Sequence, residues 1–184
     1  LVAEPLPPRR SIGPAERQAV IEVMDSGCLS GFYGSWGDEF LGGSRVRALE
    51  EAWRTRFGVG QAVTVNSATS GLMAAMGAVG IGPGDEVIVP PTTMSATAVA
   101  PLVYGGVPVF ADIEPETFCL DPAKAAALIG PRTKAIVLCH PHNPTGAVFR
   151  EADLRALADP EERAMLARGD ALFLVRLPPD FGRS

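Results

Sequence analysis

Short apolar β-runs alternate with helix-patterned segments from residue 62 to residue 139, and no other feature of this chain constrains its fold as strongly. Ala62-Val63-Thr64-Val65 leads into a helix pattern over 69–79, in which Leu72, Ala75, Met76 and Val79 share one face. A strand over 86–89 precedes a helix spanning about 94–104, stopped at Gly105-Gly106, and a strand over 107–111 follows. Asp121-Pro122 caps the next helix and Gly130-Pro131 ends it, before a last strand over 134–139. Runs such as Val-Ile-Val and Ala-Ile-Val-Leu-Cys are apolar at every position, as strands buried on both faces are. The repeated order predicts an α/β fold with a mostly parallel sheet. Gly82-Pro83-Gly84-Asp85 carries Pro and Gly where a type II turn needs them. Gly80-Ile81-Gly82-Pro83-Gly84 superficially suggests a dinucleotide fingerprint, but it follows a helix and precedes a strand, the reverse of the required order.

Upstream of this alternation, residues 1–13 form a Pro-rich lead-in. Pro14 suits the first turn of a helix running to about Ser26, stopped by Gly27. Residues 27–43 read as a long Gly-rich loop holding Phe32, Tyr33, Trp36 and Phe40, and so many aromatics favour a functional loop. Ser44 is placed to cap a helix ending near Phe57-Gly58, with Val46, Leu49, Trp53 and Phe57 on one face. With 184 residues, 47% apolar and 20% charged, the chain is expected to bury a sizeable core. Its net charge of −5 and lack of a basic stripe argue against nucleic acid as a partner. No apolar run approaches the ~20 residues of a membrane span. Cys28, Cys119 and Cys139 are odd in number and irregularly spaced, which points to reduced thiols and a cytoplasmic setting. The first residues form no secretory signal, and the missing initiator Met suggests an incomplete sequence.

Three stretches invite a chemical reading. Asn66-Ser67-Ala68-Thr69-Ser70-Gly71 lies between a β-run and a helix, so free backbone N–H groups, the helix dipole and the hydroxyls of Ser67, Thr69 and Ser70 suit a phosphate. A plain capped helix start is the simpler alternative. Cys139, His140 and His142 are conceivable metal ligands, yet no second Cys/His cluster completes a site, so no metal is expected. Lysine is scarce: only Lys124 and Lys134 occur, and neither follows a strand end where a carbonyl cofactor could be held.

Taken in order, several segments resemble the DegT/DnrJ/EryC1/StrS family of sugar aminotransferases. They are Ser26-Gly27-Cys28-Leu29-Ser30-Gly31, Val46-Arg47-Ala48-Leu49-Glu50-Glu51 and Val65-Asn66-Ser67-Ala68-Thr69-Ser70-Gly71-Leu72. Gly80 to Pro90 and Pro108-Val109-Phe110-Ala111-Asp112-Ile113 continue the match, which runs from about Ile12 to Cys139. The resemblance implies the large domain of a fold-type-I enzyme with pyridoxal 5'-phosphate as cofactor, here incomplete, and a homodimer when complete. It implies transamination from a small-molecule amino donor to a keto-sugar nucleotide or similar carbonyl. Carried over by position, Ala68 and Thr69 hold the cofactor phosphate, Ala68 standing where the family often has Gly. Met94 occupies the position of an aromatic residue stacked on the pyridine ring, a role a polarisable thioether can keep; a core Met is the alternative. His140-Pro141-His142-Asn143-Pro144-Thr145-Gly146 looks more like the Asn-Pro-Thr-Gly segment of class I/II aminotransferases, where the Asn supports the cofactor's phenolic oxygen. Asn143 takes that role by resemblance; a Pro-flanked turn is its alternative.

Past a helix at about 150–158 the family pattern fades. The family carries a further strand ending in an Asp for the pyridinium nitrogen, then the Schiff-base lysine. Here Ala171-Leu172-Phe173-Leu174-Val175 leads to Arg176-Leu177-Pro178-Pro179, neither Asp170 nor Asp180 fits, and no catalytic residue is identifiable. The expected organisation is therefore an N-terminal helix and loop over 1–43, a cofactor-binding portion over 44–158 and a divergent tail over 159–184. Two main functions follow: a truncated aminotransferase, or a non-catalytic remnant that binds a phosphorylated ligand or an intact paralogue; a nucleotide-binding Rossmann regulator is a third, on fold analogy only.

Overall fold

Strand β1 (Glu86–Val89) is the centre of the fold, because Val87, Ile88 and Val89 are all fully buried. The computed structural model describes residues 12–149, apart from 30, 33, 35, 38 and 39, together with the backbone of 171–176. The expectations for the lead-in up to residue 11, Tyr33, the helix at about 150–158, Asp170, Asp180 and the rest of the tail lie outside the described residues.

β1 pairs in parallel with β2 (Val107–Phe110) on one side and with β3 (Thr133–His140) on the other. β4 (Ala171–Arg176) pairs in parallel with β3, from Ala135 opposite Ala171 to His140 opposite Arg176. Among the described residues the sheet has four strands in the order β2-β1-β3-β4, all parallel. Among the described strands β2 lies at the edge of the sheet, and its Val107 and Phe110 stay exposed while neighbouring β1 is buried. β4 also shows that the sheet continues past the point where the family pattern fades.

The two-residue period of the strands builds a layer on each face. Val87, Val89, Ala135 and Val137 pack with Met76, Leu72 and Met73 of α3 (Ala68–Val79) and with Ala100 of α4 (Ala96–Leu102). Ile88, Ile136 and Leu138 pack on the other face with Ala125 of α5 (Pro122–Ala127), with Leu120 and Cys119 from the loop after β2, and with Phe149. The result is an α/β/α arrangement, in line with the expected α/β fold and parallel sheet. The type II turn forms as well: Gly84 has φ +83°, and the Asp85 N–H donates to the Gly82 carbonyl at 3.1 Å.

The expected strand over 62–65 joins no ladder. Its side chains alternate between half-buried and exposed, so the two-residue pattern survives, but the segment is not among the hydrogen-bonded strands of the described residues. A strand exists only where a neighbour completes its hydrogen bonds. The Thr64 N–H and hydroxyl donate instead to the Glu50 carboxylate, at 2.8 and 2.9 Å.

The chain divides into two units, 1–64 and 65–184. The first holds α1 (Pro14–Ser26) and α2 (Ser44–Phe57), each stopped by a left-handed glycine, Gly27 and Gly58. Gly43, rather than Ser44, is the N-cap of α2. Neither helix buries a residue: Val20, Met24, Leu49 and Trp53 are all exposed. In the loop between them Trp36 stacks on Phe40, with centroids 4.2 Å apart. Phe32, at φ +63°, lies over Gly42, where a Cβ would sit 2.8 Å from its ring.

Candidate functional site

The first turn of α3 offers donors that the described residues leave open. Ser67 is the N-cap, in extended conformation, and its Oγ accepts the Ser70 N–H at 3.1 Å. The Gly71 N–H donates to the Ser67 carbonyl. The hydroxyls of Ser67 and Ser70 lie 3.0 Å apart, and that of Ser70 donates to Asn66 Oδ1 at 2.6 Å. Both hydroxyls are thus engaged in the cap, which narrows the expected trio to Thr69. Among the described residues, the Ala68 and Thr69 N–H groups and the Thr69 hydroxyl have no partner. Ala68 is exposed and Thr69 half-buried, so both donors can be reached.

The sheet decides what stands near such a helix start. α3 packs on the face of β1 and delivers its last turn to the start of β1 through the short link 80–85. A helix returning along a parallel strand in this way begins toward that strand's carboxyl end, the edge at which open α/β sheets bind ligands. The loops leaving β1 and β3 begin at that same edge.

Met94 lies in the loop after β1, is 56% exposed and belongs to neither buried cluster. Asn143 is exposed in the turn after β3. Among the described residues no hydrogen bond joins Met94 or Asn143 to Ala68 or Thr69; a buried histidine links the loops that carry Met94 and Asn143. His142 is 3% exposed, its Nε2 is 2.8 Å from the Thr92 carbonyl and its Nδ1 is 2.9 Å from Thr145 Oγ1. The sequence flagged His142 only as a conceivable metal ligand. Its real partner stands fifty residues away, beyond the reach of any local pattern. Among the described residues, no three His, Cys, Asp or Glu gather as a metal site would require.

The two lysines stand elsewhere. Lys134 is the second residue of β3, at the strand's amino end. Lys124 of α5 donates to Asp112 at 2.8 Å, and the pair holds the Lys124 ammonium above, and the Asp112 carboxyl below, its ordinary range. No described helix is long and apolar enough to cross a membrane.

Comparison with known proteins matches residues 11–162 to the DegT/DnrJ/EryC1/StrS aminotransferase family. The chain is 43% identical over 129 residues to the spore coat polysaccharide biosynthesis protein SpsC of Bacillus subtilis (strain 168), covering 70% of this chain and 30% of that protein. It is 38% identical over 146 residues to an L-glutamine:2-deoxy-scyllo-inosose aminotransferase of Streptomyces paromomycinus, covering 79% and 34%. The crystal structure of 3-amino-5-hydroxybenzoic acid synthase superposes with a TM-score of 0.72 at 29% identity, over 90% of this chain and 38% of that one. The chain spans about a third of the length of the curated relatives it matches.

Proposed function

The chain belongs to the DegT/DnrJ/EryC1/StrS aminotransferase family, and from that premise we propose that these residues form the phosphate-holding part of a pyridoxal-phosphate-dependent aminotransferase. The observation that carries this reading is the pair of N–H groups on Ala68 and Thr69, at the positive end of α3 and beside the Thr69 hydroxyl, none of which has a partner among the described residues. A phosphate monoester brings several acceptor oxygens and a negative charge to such a turn. The residues therefore fit the cofactor's phosphate, with Ala68 and Thr69 as its anchors.

When bound, the cofactor supplies the electron sink through which an amino group passes from a donor to a keto acceptor. The chain's own residues bind and orient it. Met94 is assigned to the face of the pyridine ring through its thioether. Asn143 is assigned to the phenolic oxygen, toward which its amide can donate. The acceptor is a keto-sugar nucleotide or a similar carbonyl compound, the donor a small amine, and the complete enzyme a homodimer working in the cytoplasm.

Neither lysine suits the covalent role: one is held by Asp112 and the other is the second residue of β3, at the strand's amino end. We infer that residues 1–184 by themselves bind the cofactor without turnover. The same lysine positions favour the second reading, a chain that binds a phosphorylated ligand and catalyses nothing. Competition between pyridoxamine 5'-phosphate and inorganic phosphate tests the cradle they share. Displacement of the first by the second is expected. Binding that phosphate cannot displace would refute the assignment of Ala68 and Thr69.

A further inference from the structure

We propose that His142 is a positioning residue that locks the loop after β1 to the turn after β3, and so sets Met94 and Asn143 relative to each other. What those two residues hold rests on the function proposed above; the lock itself rests on the hydrogen bonds of His142.

Thr92, whose carbonyl meets Nε2, lies two residues before Met94, and His142 immediately precedes Asn143. The two segments leave the carboxyl ends of β1 and β3, which are paired neighbours. The backbone of His142 is itself fixed. Its N–H donates to the Ala147 carbonyl at 2.7 Å, and its carbonyl accepts the Gly146 N–H at 2.7 Å, closing the turn around Asn143. The imidazole then carries that rigid turn across to the neighbouring loop.

The proton positions follow from the partners. A carbonyl only accepts, so Nε2 carries a proton toward Thr92. The Thr145 hydroxyl has one proton and two acceptors in reach, His142 Nδ1 at 2.9 Å and the Thr117 carbonyl at 3.3 Å. The shorter contact wins, which makes Nδ1 the acceptor. Thr145 Oγ1 in turn accepts the Ala147 N–H at 3.2 Å. Thr117 lies in the loop after β2, so the Thr145 hydroxyl stands within reach of the third neighbouring loop as well. A histidine that merely filled space would tolerate an apolar ring of its own size; one that holds two loops in register would not.

The chain has only two histidines, so its imidazole nitrogen spectrum is simple to assign. Long-range 15N–1H NMR of the whole chain should show His142 as the Nε2–H tautomer with a slowly exchanging proton. His142→Phe and His142→Gln are then titrated with pyridoxamine 5'-phosphate and, separately, with inorganic phosphate. His142→Phe should weaken pyridoxamine 5'-phosphate about tenfold or more while phosphate affinity stays within about twofold of the unsubstituted chain. His142→Gln, whose amide N–H can reach a carbonyl, should recover most of the loss. An Nδ1–H tautomer, a freely exchanging Nε2 proton, unchanged affinity in His142→Phe, or an equal loss for both ligands would each overturn the proposal. If the unsubstituted chain binds phosphate but not pyridoxamine 5'-phosphate, the cofactor assignment fails, and the tautomer and its exchange rate alone decide the lock.

Discussion

Ala68→Pro separates ligand binding from folding at the proposed phosphate cradle. Ala68 is the first residue of α3, exposed, and its N–H has no partner among the described residues. Ser67 before it has φ −161° and ψ 158°, the extended conformation that a residue preceding proline prefers. Proline fits the first helical position because its fixed φ suits the helix and the N–H it lacks was not bonded. The cap bonds from the Ser70 and Gly71 N–H groups to Ser67 are untouched. Stability should therefore change by less than about 1 kcal/mol. Binding is different, since a hydrogen bond to a charged group is worth about 1.5–3 kcal/mol. The exposure of Ala68 argues for the lower end, so pyridoxamine 5'-phosphate should bind about tenfold more weakly. Ala74→Pro is the contrast: exposed on the same helix but interior to it, it should cost about 3 kcal/mol or more of stability. Urea unfolding followed by circular dichroism reads stability, and a fluorescence titration reads affinity. Undiminished binding by Ala68→Pro, or destabilisation equal to that of Ala74→Pro, would refute the reasoning.

Three further expectations follow. Gly106→Ala places a Cβ 2.7 Å from Cγ2 of buried Ile81 and 3.1 Å from the Pro101 carbonyl, and should cost about 1–3 kcal/mol in urea unfolding; Gly77→Ala meets only the tip of Tyr104, which can swing aside, and should cost less. Borohydride treatment with pyridoxal 5'-phosphate should label no single lysine preferentially, and peptide mapping that finds one dominant site at Lys124 or Lys134 would contradict the lysine argument. Because Lys124 lowers the Asp112 pKa in the folded chain, the pair stabilises above the ordinary aspartate range, and that contribution fades as pH falls below about 4; Asp112→Asn should remove this acid-dependent component, checked by denaturant midpoints across pH.

The sequence made the buried centre of the sheet legible and left its periphery dark, for a physical reason. Val87-Ile88-Val89 and Ala135 to Leu138 are apolar at every position because both faces are covered, and such runs need no knowledge of partners. The turn at 82–85 was equally plain, since Gly84 supplies the positive φ that the turn type demands. Residues 62–65 carry the two-residue pattern of a strand, but pairing depends on a neighbour that local sequence does not specify. At the candidate site the donors of Ala68 and Thr69 could be anticipated from the strand-to-helix pattern. The engagement of Ser67 and Ser70 could not, because it depends on which hydroxyl turns toward which acceptor. His142 escaped for the same reason as 62–65: its role is defined by Thr92, which only the fold brings near.

The most direct test of the account is a 15N–1H correlation spectrum of residues 1–184 titrated with pyridoxamine 5'-phosphate. A family-type phosphate cradle predicts that the Ala68 and Thr69 amide protons move downfield together and saturate with the ligand, as N–H groups do when they donate to an anion. Saturable binding that leaves those two amides unmoved would contradict the central claim.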